Sequence, residues 1–546
     1  MSDTINKKNA AILYADLRRS VWGTRSYLTD RLAGRSVLGR TVSRLEQANR
    51  LDEIIVFCPD EQQEQVRELI GQTTAIVKGL TEPVPLSKHI PGRKWAMNSW
   101  RGGIREATQF DEQAFTAEMV LYARERKIYT ALSVAGEAVV VDPELIDALL
   151  EHHHEHGDAM RFTFTQAGPG LCGGAYRLDL LHELVLTGAY IGDLLRYDPA
   201  TPHADYIVQE CNYKVDPELY TTRFRYIADT RRSFAAIENL ATKAGDSFQH
   251  WDAKRIISEL EQQCQGPDIL PREVEVEITT EPSLRISGYP HRADSEHPQR
   301  QRMSVACFEK IVEQLGEYDD ICLTIGGFGE PLSHPDLMPM IDSAKAAGIL
   351  GINIETDGRL LKGELAELLS ESEVDIISVY LDADSGELYH KVKGKDCFDE
   401  VVGQLEAFIE KTNGTGPMIL PHLVKTRQTM AEMESFYDRW LKKCDGAVIV
   451  GYNDFAGRIE NKSVMDMAPP HRLACRRLLD SMTILTDGGV TICGQDFMGS
   501  CTVGNVNEKS IKELWRSQSL EELRTAHQQR NFGINELCGK CKEWHR

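Results

Sequence analysis

At 546 residues the chain exceeds one ordinary hydrophobic core and implies two to four domains. Its 62 basic and 83 acidic residues leave a formal charge of -21, which argues against nucleic acid or an anionic membrane surface as partner. No apolar run of membrane-spanning length occurs and the first residues lack a signal-peptide pattern, so a cytoplasmic location is expected; thirteen cysteines, an odd number, suit reduced thiols plus a metal site rather than a disulfide framework.

In chain order, Ala10–Tyr14 reads as a strand, Val37–Ala48 as a helix and Ile54–Phe57 as a second buried strand. This βαβ alternation predicts a parallel sheet with ligands at the carboxyl ends of its strands. The tract EHHHEH at 151–156 continues the helical spacing of Leu145, Ile146, Leu149 and Leu150, and is expected to be that helix's solvated end. GPGLCGG at 168–174 reads as a loop before a strand over Ala175–Leu178. Residues 246–270 read as a helical linker ending at Gly266, Pro267 and Asp268.

From Pro271 strands and helices alternate again. Strands are expected at 274–280, 321–325, 352–356, 376–382, 419–424 and 446–450, with helices over Met338–Ala347, Phe398–Thr412 and residues 431–443. Repeated βα units of this length predict an open or closed parallel barrel. In the tail, Met482–Thr486, a turn at Asp487, Gly488 and Gly489, and Val490–Ile492 form a hairpin, which brings Cys475 and Cys493 together. Cys538 and Cys541 add a Cys-x-x-Cys pair. Four thiolates of this kind suit a [4Fe-4S] cluster or a structural zinc, and spacing alone leaves both open. The expected boundaries are 1–245, 246–270, 271–462 and 463–546.

The strand AILYAD, the helix AGRSVLGRTVSRLEQA, the strand DEIIVFCPDE, the run Trp100-Arg101-Gly102-Gly103 and AGEAVVVDPELIDALL resemble the nucleotidyltransferase-like glycosyltransferase A fold. That resemblance implies a Gly-rich triphosphate loop and an acidic Mg²⁺ ligand. In this chain Arg25 stands for the loop lysine and Glu137 for the metal-binding aspartate, and only Gly23 remains in the loop. A structural or ligand-sensing remnant is therefore expected, with nucleotidyl transfer through Arg25 and Glu137 as the rival.

VEVEITT, IGGFGEPLSHPDL, GINIETDGRLL, DIISVYLD and AVIVGYNDFAGRI resemble successive motifs of the radical S-adenosylmethionine (SAM) core, and the tail resembles the SPASM domain. The fold implied is a partial (β/α) barrel followed by a small Cys-rich domain. The resemblance places Gly327, Gly329 and Glu330 at the loop that meets the SAM amino group, and Cys475, Cys493, Cys538 and Cys541 around one [4Fe-4S] cluster, with Asp496 or Cys501 as an alternative ligand. The core's Cys-x-x-x-Cys-x-x-Cys is missing: Pro282, Ile286 and Tyr289 occupy its positions, and none replaces a thiolate on iron. SAM binding is thus doubtful, and a tight glycine turn is the simpler role for the loop. The functional expectation is a non-radical accessory or binding protein that recognises a protein or small molecule of unknown identity. The rival is an enzyme, either a sugar nucleotidyltransferase or a SAM-dependent catalyst with an atypical cluster.

Overall fold

The computed structural model describes residues 7–105, 107–156, 160–196, 206–264, 266–281, 301–412, 414–444, 446–466 and 468–545. The chain divides into two compact units, Met1–Gln265 and Gly266–Arg546.

The first unit is built on strands β1 (Asn9–Tyr14), β2 (Glu53–Pro59), β3 (Ile76–Leu80), β4 (Thr130–Ser133), β5 (Phe162–Thr163) and β6 (Gly174–Arg177). Their order is β3-β2-β1-β4-β6-β5; the first four run parallel, whereas β6 is antiparallel to β4 and β5. The unbroken apolar run in β1 reflects burial on both faces. Ala11 and Leu13 meet Leu38, Val42 and Leu149, while Ala10 and Ile12 meet Met119, Val120 and Leu181. Helix Val37–Leu45 begins where the Ser36 hydroxyl accepts the Gly39 N–H at 3.1 Å. Helix Pro143–Glu155 begins at Asp142, which caps two backbone N–H groups, with Pro143 in its first turn.

Two sequence expectations are corrected here. The histidine tract does end the helix, with Glu151 and Glu155 exposed, but His153 within it is 2% exposed, its Nδ1 lies 2.8 Å from Thr163 Oγ1, and burial, with the neighbouring His154, lowers its pKa to about 4. The segment 246–270 is not a free linker. Helix Ala253–Gln263 buries Ile256, Ile257 and Leu260, with Phe248 and Trp251, against Val139, Val140, Ile237 and Leu240 of the first unit. Its charged face hid a buried stripe with helical spacing.

The second unit carries β7 (Glu273–Glu277), β8 (Cys322–Gly326), β9 (Gly351–Thr356), β10 (Ile376–Tyr380), β11 (Met418–Lys425), β12 (Val448–Gly451), β13 (Ser481–Ile484), β14 (Gly489–Thr491) and β15 (Thr502–Asn505). They form one open sheet in the order β12-β11-β10-β9-β8-β7-β13-β14-β15. Pairing is parallel from β12 through β13 and antiparallel for the last two. Helices Val305–Leu315, Leu337–Ala346, Gly363–Glu371, Phe398–Thr412 and Met433–Cys444 connect the parallel strands. Phe308, Ile311, Met340 and Ile341 share a core with Val274, Val276 and Ile278. Met482, Ile484 and Trp515 belong to that same core, so the tail extends the barrel's sheet and packing across the boundary expected at 462/463.

Candidate functional site

The β13–β14 hairpin forms as its alternating residues predict, with Asp487 Oδ1 accepting the Gly489 N–H at 3.0 Å in the turn. Cys475 lies two residues before the short helix Arg477–Asp480 leading into β13, and Cys493 lies just beyond β14. Cys538 sits in helix Glu536–Lys540, which Asn535 caps at the Leu537 N–H (2.8 Å); Cys541 follows it.

The four sulfurs act on one another. Burial pushes the Cys538 thiol up to about 12, with Cys475, Cys541 and Cys501 adding to the rise. Burial likewise raises Cys493, and Cys538 and Cys475 contribute. Backbone N–H groups point at the sulfurs: Glu543 N–H donates to Cys541 Sγ at 3.3 Å, Gln495 N–H to Cys493, and Arg477 and Leu478 N–H to Cys475. Donors of this kind stabilise thiolate rather than thiol, and hydrogen bonds to sulfur also tune iron–sulfur centres. The Arg477 guanidinium adds positive charge beside Cys493 and Cys475. Buried thiols with raised pKa values lose their protons to a metal, which supplies the charge that burial withholds.

The donor set therefore fits an iron–sulfur cluster. Among the described residues, no three of these sulfurs lie within 4.8 Å of one another. Tetrahedral zinc, with Zn–S bonds of about 2.3 Å, needs sulfurs roughly 3.8 Å apart. Asp496 is not a spare ligand: its carboxylate accepts from Thr491 Oγ1 (2.8 Å), Ser500 N–H (3.1 Å), Cys501 N–H (2.6 Å) and Arg458 (2.8 Å). Cys501 accepts a 3.6 Å bond from Asn535 Nδ2.

The glycine-rich loop after β8 divides its residues between two roles. Gly327, at φ +95°, lines a cavity in the barrel lumen and lies so close to Glu277 that a Cβ would come within 3.0 Å of it. Gly329 donates its N–H to Thr279 O at 3.2 Å, and a Cβ there would stand 2.3 Å from that oxygen. Glu330 is 2% exposed. Its Oε1 accepts from Thr356 Oγ1 (2.7 Å) and Leu332 N–H (3.2 Å), and its Oε2 from Asp357 N–H (3.0 Å). Burial, then Asp357, pushes this carboxyl up to about 7. Glu330 thus pins the loop to the end of β9, and of the three residues expected to meet SAM only Gly327 borders the cavity. Pro282, Ile286 and Tyr289 lie outside the described residues.

In the first unit, Glu137 is 6% exposed, and burial, followed by Asp229, pushes its carboxyl up to about 8. The positive charge beside it comes from within the chain: Arg225 donates to Asp229 (2.6 and 2.8 Å) and Glu112 (2.9 Å), and Arg93 donates to Glu112 (2.7 and 3.1 Å). Against its burial, Arg225 and Arg93 hold Glu112 below the usual carboxylate range. Trp22 Nε1 closes the cluster onto Asp229 at 2.8 Å. Arg25 is elsewhere, bound to Asp30 at 2.5 Å and stacked over Tyr27. Sequence reasoning missed Arg93, Glu112, Arg225 and Asp229, because no motif joins residues so far apart.

Two family profiles match the second unit: the radical SAM superfamily over residues 288–437, and the SPASM iron–sulfur cluster-binding domain over 475–542, which contains all four cysteines. An uncharacterised protein of Treponema pallidum is 24% identical over 250 residues, covering 43% of this chain and 68% of its own length. Mycofactocin maturase MftC of Mycolicibacterium smegmatis is 29% identical over 126 residues, covering 23% of this chain, which spans only 31% of that relative. Among solved structures, Streptococcus suis SuiB bound to its precursor peptide SuiA aligns with a TM-score of 0.42 and 15% identity, over 67% of this chain and 85% of that one. The second unit thus carries a radical SAM superfamily domain followed by a SPASM iron–sulfur cluster-binding domain.

Proposed function

We propose that the chain is an iron–sulfur protein of accessory, non-radical function, in which Cys475, Cys493, Cys538 and Cys541 hold one [4Fe-4S] cluster. The observation that carries this reading is the mutual influence of the four sulfurs, of residues buried or half-buried, together with the backbone N–H groups aimed at them. A four-thiolate cluster has no open iron, so bound there it would brace the tail or carry an electron. The chain's own residues do the rest. The hairpin and Asn535 set the thiols, Arg477 offsets their charge, and the barrel is left as a binding scaffold. Pro282, Ile286 and Tyr289 in place of three cysteines, with Glu330 consumed by its own loop, favour this over SAM chemistry.

The first unit is read as a nucleotidyltransferase-like remnant. The internal guanidinium of Arg225, bound to Asp229 and Glu112 beside Glu137, supports this reading over a pocket for nucleotide-bound magnesium. The maturase name of one relative supports a role in peptide modification, and a cytoplasmic location is part of the same proposal. Among the described residues no helix is long and apolar enough to cross a membrane.

Anaerobic reconstitution followed by iron counting and paramagnetic resonance tests the assignment. Roughly four irons per chain, lost in Cys538→Ala and kept in Cys501→Ser, is the expected result. About eight irons with spectra perturbed by SAM would overturn it. Pyrophosphate release from a nucleoside triphosphate with Mg²⁺, abolished in Glu137→Ala, would make the first unit an enzyme.

A further inference from the structure

The lumen of the open barrel holds a cavity of about 330 Å³. Strand β7 sends Val274 and Val276 into the helical core and places Glu273, Glu275 and Glu277 on the cavity; Glu355 of β9 joins them. Arg477 is the one basic residue among its described lining residues. Glu277 is engaged internally, Oε2 accepting the Phe328 N–H at 3.1 Å and Oε1 accepting from Thr486 N–H and Oγ1, each at 3.4 Å. Glu275 accepts only a long bond, 3.5 Å, from Thr483 Oγ1 among the described residues, and Glu355 accepts one of 3.3 Å from Tyr380 Oη.

Glycines make room for those two carboxylates on the cavity wall. A Cβ on Gly494 would stand 2.6 Å from Glu275 Oε2, and one on Gly326 would stand 3.0 Å from Glu355 Oε2. A separate feature marks the same cavity as built for a ligand. Gln495, which lines it, is 3% exposed, and its Oε1 has no hydrogen-bond partner. Leaving such an acceptor buried and unbonded costs about 1–3 kcal/mol unless a donor arrives. Other lining residues are aromatic: Tyr380, Phe328, Phe455 and Phe497, with Phe497 5.5 Å from Phe455 and 6.3 Å from Phe328 between ring centroids.

We propose that this lumen binds an organic cation, a primary ammonium or guanidinium on an apolar stem, whose N–H groups meet Glu275, Glu355 and the Gln495 carbonyl. The inference rests on the reading of the barrel as a binding scaffold. Among the described lining residues carboxylates outnumber the one guanidinium, which disfavours an anion. A bare divalent metal is disfavoured because no three of these carboxylates bring oxygens within 4.8 Å of one another among the described residues. An alkyl stem suits the aromatic wall, whose ring faces also attract a cation.

The test is calorimetric titration of the reconstituted full chain with spermidine, with a lysine-containing pentapeptide, with its norleucine counterpart and with SAM. Spermidine or the lysine peptide binds and the norleucine peptide does not. Binding of the peptide assigns a side-chain ligand, and binding of spermidine alone assigns a free polyamine. Glu275→Gln with Glu355→Gln weakens the cation at least about tenfold. Gln495→Met, of similar volume, weakens it by a smaller factor. Melting followed by circular dichroism and iron content are recorded for each variant. Equal binding of lysine and norleucine peptides, tighter binding of SAM than of either amine, or unchanged affinity in folded variants overturns the proposal. Iron loading without cation binding refutes this inference alone; cation binding without iron refutes only the cluster assignment.

Discussion

The two units bury carboxylates on the same kind of scaffold, a parallel sheet, and neutralise them in opposite ways. In the first, Glu112 and Asp229 are clamped by Arg93 and Arg225, and Glu137 keeps a proton. In the second, Glu275 and Glu355 line a cavity in which Arg477 is the one basic residue among the described lining residues. A pocket that carries its own cation has given up the place a ligand's charge would take. One that leaves its carboxylates facing a cavity still has that place to offer.

Substitutions can break this contrast, and the largest effect is expected at Arg225. Arg225→Met leaves the buried Asp229 without its guanidinium and Glu112 with Arg93 alone, and lowers the stability of the first unit by about 3–5 kcal/mol in urea denaturation. A loss under about 1 kcal/mol would show the cluster to be hydrated and the contrast false. Glu112→Gln removes the acceptor shared by Arg93 and Arg225, so a smaller loss, about 1–3 kcal/mol, is expected in the same measurement.

Glu137 sharpens the contrast through pH. Its folded pKa, about 8, lies above its ordinary value near 4.5, so the folded state holds a proton that the unfolded state releases. Stability from this group is complete below pH 4.5 and is lost as pH rises towards 8, at no more than about 1.4 kcal/mol per pH unit. Glu137→Gln should flatten that slope in melting curves taken from pH 5 to 8; an unchanged slope would assign it to other groups. The smallest effect, and one of opposite sign, belongs to the second unit. Glu275→Gln relieves repulsion from Glu355 and Glu277 and raises stability at pH 8 by up to about 1 kcal/mol. Destabilisation there would mean that Glu275 already has an internal partner.

The sheet in each unit was readable because its strands are local apolar runs, and helix Phe398–Thr412 is found at the bounds its periodicity predicts. The Cys-rich tail was readable as a domain because its hairpin has a turn written in Asp487, Gly488 and Gly489 between closely spaced cysteines. The lumen was half visible. Alternation in Val274, Glu275, Val276 and Glu277 ordinarily marks a strand with one face in water; here the polar face looks into a cavity, and only the closing curve of neighbouring strands decides between the two. The Arg225 cluster left no local trace, since Arg225 and Glu112 are 113 residues apart and charged residues are by default exposed. His153 was misread for the same reason, its tract being polar while one ring faces Thr163.

The parallel pairing of β7 with β13 has a consequence for synthesis. Glu275 and Thr483 are 208 residues apart, so the opening strand of the second unit waits for a partner made much later in synthesis. Until then β7 presents an unpaired strand edge, the surface on which partly made chains join wrongly. Truncation between Cys444 and Ser481 makes that interval permanent, and aggregation of such fragments is the expected outcome even though the helices that connect the parallel strands are all present.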